Sequence, residues 1–140
     1  MLIKLRVKTL MSFLFLMLLA GTPLLTSCRD AHEDVFSETY AKAIWGRNAQ
    51  GEGHSGGGSE LQNCLVYIDF VQNFINEHDI KSVVDAGCGD WEFSRHMNWS
   101  GIQYFGCDVV KDVINRNIMR YSAANIHFVY GNLVTFDLPK

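Results

Sequence analysis

Three short apolar runs, each closing in turn residues, punctuate the second half of the chain: "IKSVVDAG" (residues 80–87), "IQYFGCDVV" (102–110) and "NIHFVYGN" (125–132). Each is rich in β-branched and aromatic residues and too short for a buried helix, the pattern of a strand covered on both faces. Between them, "EFSRHMNW" (92–99) predicts a short helix and "KDVINRNIMRY" (111–121) a longer one. Strands alternating with helices predict an α/β fold with a parallel sheet. A further helix is expected ahead of the first strand. Ser59 with Gln62 makes a capping box, and Leu61, Cys64, Leu65, Ile68, Val71, Phe74 and Ile75 then recur on one face. Val35, Phe36, Tyr40, Ala43 and Ile44 predict another short helix, running up to Trp45.

The first 28 residues read as a targeting segment rather than as part of this fold. Lys4, Arg6 and Lys8 form a basic n-region, and "LMSFLFLMLLAG" (10–21) is an uncharged apolar run, long enough for a signal h-region and short for a spanning helix. After Pro23, "LLTSC" resembles the lipobox of bacterial lipoproteins, which implies lipidation at Cys28. An uncleaved anchor or an ordinary signal peptide is the alternative. Export or membrane attachment is expected, because basic residues ahead of the apolar run hold the N-terminus inside.

The remaining composition excludes several classes. Twelve Lys and Arg against fifteen Asp and Glu leave a net charge of −3, so charge implies no nucleic-acid partner. Cys64, Cys88 and Cys107 lack the close paired spacing of a zinc site, and no metal is expected. They read as small buried hydrophobes. His54, His78, His96 and His127 show no partner pattern.

"GRNAQGEGHSGGGSE" (46–60) has six glycines and no large apolar residue, so a flexible loop is expected. It lacks the Gly-Lys-Ser/Thr of a phosphate-cradling loop. It reads either as a linker from the targeting segment or as a lid over a ligand.

The turn after the first run carries the chemistry. Asp85 ends the strand, and Gly87 and Gly89 allow positive φ and close approach of a ligand to the backbone. The helix expected next would offer free N–H groups and its positive dipole end. Asp108 follows Gly89 by about 20 positions, at the end of the second strand, where a carboxylate can accept from both hydroxyls of a ribose. A dinucleotide fingerprint needs a third glycine, but Glu92 stands there, and Asp85 suits a ligand with an amino group better than one with two phosphates. The plainer readings are a tight turn for the glycines, a helix cap for Asp108 and a turn for Asn132. Asp90 can cap the helix or touch the ligand, and Trp91 reads first as a ring buried against the sheet, with cation–π contact to the ligand as the alternative.

These motifs together resemble the class I S-adenosylmethionine-dependent methyltransferases. "VVDAGCGD" is similar to their first motif, "YFGCDVV" to the second strand with its ribose-binding acid, and "FVYGNLVTFDLP" to the region that meets the adenine. The resemblance spans about residues 59–139 and implies a Rossmann-like methyltransferase fold with S-adenosylmethionine as cofactor. It places Asp85, Gly87, Cys88, Gly89, Asp108, Asn132 and Leu133 at the cofactor. It also implies seven strands, of which only three can be read here. The expectation is therefore an incomplete, N-terminal portion of a methyltransferase, truncated or completed by a partner chain that covers the open sheet edge. The expected organisation is a targeting segment over 1–28, a helix and Gly-rich linker or lid over 29–58, and the cofactor-binding half-domain over 59–140. The methyl acceptor is not identified. An exported lipoprotein or anchored interaction module without cofactor is the alternative, since the methyl donor is made in the cytoplasm.

Overall fold

A computed structural model of the chain describes residues 31–132. The basic n-region, the apolar run and Cys28 at one end, and Leu133 at the other, lie outside the described residues. The architecture is α/β: β1 (Ser82–Ala86), β2 (Gln103–Asp108) and β3 (Ile126–Tyr130) form a parallel sheet in the order β1-β2-β3. Ser82 stands opposite Gln103 and Ala86 opposite Cys107, while Asp108 stands opposite Tyr130. The central strand is the most buried, with Tyr104, Gly106, Cys107 and Asp108 all inside. Gly106 is required there by packing, because a Cβ would come within 2.9 Å of the Phe128 ring and 3.0 Å of Cys88 Sγ.

Among the described residues three helices accompany the sheet: α1 (Ala31–Ala41), α2 (Leu61–Glu77) and α3 (Lys111–Tyr121). The amphipathic pattern of α3 buries Val113, Ile114 and Asn117 and leaves its charged residues outward. The main core joins Ile75 of α2, Ile114 of α3, and Tyr104 and Phe128 of the sheet to Trp91, Trp99 and Met97 from the connection between β1 and β2. Cys64, Cys88 and Cys107 are buried free thiols.

Two local expectations are corrected. The capping box at Ser59 and Gln62 does not form. A 3-10 turn over Gly57–Ser59 delays the helix by one residue, so Glu60 takes the N-cap position without a side-chain bond. Ser59 Oγ donates instead to the Ser55 carbonyl, and Gln62 reaches the side chain of Glu60. The helix expected over 92–99 is only a 3-10 turn, Ser94–His96. The Trp99 indole N–H donates to the Ser94 carbonyl at 2.8 Å, and the Asn98 amide is captured by the Gln72 side chain at 2.9 Å. The Asn98 amide is thereby withdrawn from helical pairing, while the Ser94 carbonyl accepts the Met97 amide of the 3-10 turn as well as the indole. Trp91, at φ +59°, breaks the backbone just before. Its ring is buried against Tyr104, Tyr121 and Phe128.

The apolar face of α2 also differs from the pattern read in sequence. Cys64 and Ile75 are buried and Ile68 and Val71 pack on the core, but Leu65 and Phe74 are exposed. They extend an outward apolar stripe through Val66, Tyr67 and Phe70. No helix among the described residues is long and apolar enough to cross a membrane.

Candidate functional site

At the carboxyl ends of β1 and β2 the chain makes a cavity of about 420 Å³. That is where open parallel sheets place ligands, and the volume lies in the small-molecule range. Gly87 and Gly89 form its floor, Asp108, Val109 and Asn132 line it from the strand ends, and Phe36, Tyr40, Trp45, Ser55 and Ser59 come from α1 and the Gly-rich stretch.

The glycine turn is tied to β2 before any ligand arrives. The amides of Gly87 and Cys88 both donate to the Cys107 carbonyl, at 2.8 and 3.0 Å. Gly87 has φ +83° with no atom of the described residues within 4 Å of where a Cβ would stand, so its missing side chain leaves backbone open to the cavity. Gly89 has φ +53°, and the atom nearest its absent Cβ is Ser55 Oγ, at 2.2 Å. The close approach that Gly89 permits is therefore used by the chain itself.

Asp108 links the turn to α3. Its Oδ2 accepts from the Gly89 amide and its Oδ1 from the Val110 amide, each at 2.9 Å. The side chain is only 8% exposed, and burial raises its pKa above the ordinary carboxylate value, opposed by those two backbone donors. A carboxylate has about four lone-pair sites, so two such bonds leave capacity for hydroxyls of a ligand. Beneath the turn, the buried Asn117 donates from Nδ2 to the Gly89 carbonyl at 2.8 Å.

The resemblance placed seven residues at one ligand, and the structure distributes them. Gly87, Gly89, Asp108 and Asn132 line the cavity together. Cys88 instead joins the core, its thiol raised in pKa by burial. Asp85 turns to Tyr104, whose hydroxyl donates to Oδ2 at 2.6 Å, with Ser94 Oγ at 3.4 Å. Burial raises the Asp85 pKa against these two donors. Leu133 lies outside the described residues. Glu92 pairs with Arg95 at 2.9 Å and does not line the cavity, so it is no obstacle to a pyrophosphate there. What opposes a pyrophosphate is the missing helix. A three-residue 3-10 turn supplies no dipole end, and no basic side chain lines the cavity among the described residues.

The residues that pattern reading missed come from α1 and from 46–59. Ser55 donates its one proton from Oγ to Asp90 Oδ1 at 2.6 Å and accepts the Asp90 amide at 3.1 Å. The Tyr40 hydroxyl, 2.7 Å away, must then donate to Ser55. Asp90 is thus held by the loop, and its buried Oδ2 has no hydrogen-bond partner among the described residues. The Gly-rich stretch, expected as flexible, is folded down at several points. Arg47 bridges to Gly53, Gly53 lies so close to the Tyr40 carbonyl that a Cβ would stand 1.9 Å from it, and Glu52 makes a bidentate pair with Arg120 of α3 at 2.7 and 2.8 Å. No composition signal announces these contacts; an Asn among the apolar positions of α3 was the one readable cue, at Asn117. Comparison of the chain with protein-family models and with curated proteins finds no match.

Proposed function

We propose that this chain binds S-adenosylmethionine through the glycine turn and Asp108, and that its activity is methyl transfer to an acceptor not yet identified. The observation that carries the reading is a buried carboxylate at the end of β2, anchored to the Gly89 amide and facing a cavity floored by open glycine backbone. Asp108 would hold the ribose hydroxyls, Val109 and Asn132 would flank the base, and the Gly87 backbone would admit the remainder of the ligand. A cavity lined by no basic side chain among the described residues suits an adenosyl group joined to a sulfonium better than one joined to phosphates. The bound cofactor supplies an activated methyl group. The chain's own contribution is to orient and desolvate, and no acid–base pair is needed when the acceptor is already nucleophilic.

The alternative, an anchored α/β interaction module without cofactor, draws on the exposed apolar stripe of α2 and on β1, whose outer edge pairs with no other strand among the described residues. Calorimetric titration of the full chain with S-adenosylhomocysteine separates the two. Saturable binding is expected, weakened roughly tenfold or more by Asp108→Ala, since hydrogen bonds to a charged acceptor contribute about 1.5–3 kcal/mol. A folded wild-type chain that takes up no ligand would favour the interaction module.

A further inference from the structure

Two aromatic side chains in the cavity are exposed yet held in place. Trp45 is 45% exposed and Phe36 is 39% exposed, and both line the space that Asp108 and the glycine turn enclose. The Trp45 carbonyl is bonded to His54 Nε2 at 2.9 Å, and the absent Cβ of Gly56 would stand 3.5 Å from the Trp45 Cβ. Its ring meets Phe36 at 6.1 Å with a 57° tilt and Tyr40 edge-on at 6.2 Å. Holding a large apolar ring partly in water offers the fold little, because burial is what stabilises such a side chain. An ordered, half-exposed indole in a cavity that no basic residue lines among the described residues is suited to stacking on a flat, uncharged ring.

Resting on the adenosyl-binding reading above, we propose that Trp45 forms an aromatic platform on which the nucleobase stacks, with the tilted Phe36 ring beside it, contributed from outside the β1–β3 unit. The ligand class is a purine nucleoside without phosphates. The α1 and Gly-rich segments are then part of the binding site, and their docking through Ser55 and Glu52 completes it.

The other two tryptophans, Trp91 and Trp99, are buried, so a ligand-dependent change in tryptophan fluorescence that is lost in Trp45→Phe reports on Trp45. S-Adenosylhomocysteine is titrated into the full chain by fluorescence and by calorimetry, with Trp45→Leu, Trp45→Phe and Asp108→Ala alongside. Base–aromatic stacking predicts roughly tenfold weaker binding for Trp45→Leu. Trp45→Phe should retain affinity within about threefold while losing the fluorescence change. Asp108-dependent binding that Trp45→Leu leaves unchanged, or calorimetric binding without any fluorescence response in the wild type, overturns the platform and leaves the adenosyl site standing. No binding to the wild type overturns both.

Discussion

Gly87 and Gly89 share a left-handed backbone but differ in what surrounds them, and that difference is measurable. Alanine at Gly87 meets open space, so it should cost only the left-handed strain of about 1–2 kcal/mol. Alanine at Gly89 adds a collision with Ser55 Oγ and loosens the bonds to Asp90, so about 3 kcal/mol is expected in denaturant unfolding. A second change, Ser55→Ala, should return part of that loss, as a positive coupling in a double-mutant cycle. Equal costs at the two glycines would show that Ser55 does not sit against Gly89. Tyr104→Phe strips the short hydrogen bond from the half-buried Asp85 and should cost about 1–3 kcal/mol in the same assay. At this scale, the residues legible in the sequence are those whose role follows from local backbone chemistry: Gly87, Gly89 and Asp108 announce a turn and a strand end. Ser55 acts through Asp90, and Tyr40 and Trp45 through a cavity shared with the distant Gly87 and Asp108. No local pattern encodes those contacts.

Among the elements, the sheet and α3 follow directly from periodicity, since the apolar runs and the "KDVINRNIMRY" stretch coincide with the strands and with Lys111–Tyr121. The expected helix over 92–99 fails because Gln72 captures the Asn98 amide, a backbone group that a helix would need. The Gly-rich segment lacks large apolar residues, which predicts a loose loop, yet polar clips fold it down. One of them is the bidentate pair between Glu52 and Arg120, and hydrogen bonding from Arg120 lowers the Glu52 pKa to about 2. A lowered folded-state pKa means that the unfolded or undocked state binds more protons between about pH 4.5 and 2, so docking weakens as pH falls through that window. Amide exchange over residues 47–56 should therefore accelerate at pH 3 relative to pH 5.5, after correction for intrinsic rates, and Glu52→Gln should show the faster exchange at both. Asp85 and Asp108 carry the opposite sign. Burial raises both pKa values, so each contributes stability that grows as pH falls through its folded-state pKa, opposite in sign to Glu52.

For the whole molecule, the outward stripe on α2 is the main departure from a closed surface. Val66 is 83% exposed and Phe70 66%, so replacing both by lysine should leave the melting temperature within about 2 °C and reduce the binding of an apolar dye. A large drop in melting temperature would mean that the stripe is covered in solution. The α/β architecture was legible because three buried strands and their turns repeat at short intervals. The composite nature of the cavity was not, because one wall comes from α1 and the Gly-rich segment, which carry no recognisable ligand motif. The claim that joins both walls is that a nucleoside ligand occupies this cavity. Amide-resolved NMR of the full chain during titration with S-adenosylhomocysteine tests it most directly. The account predicts saturable shifts at Gly87, Gly89, Val109 and the Trp45 indole, with the remote turn glycine Gly101 unmoved. A spectrum of the folded chain that stays unchanged to millimolar ligand, or shifts confined to residues away from the cavity, would contradict it.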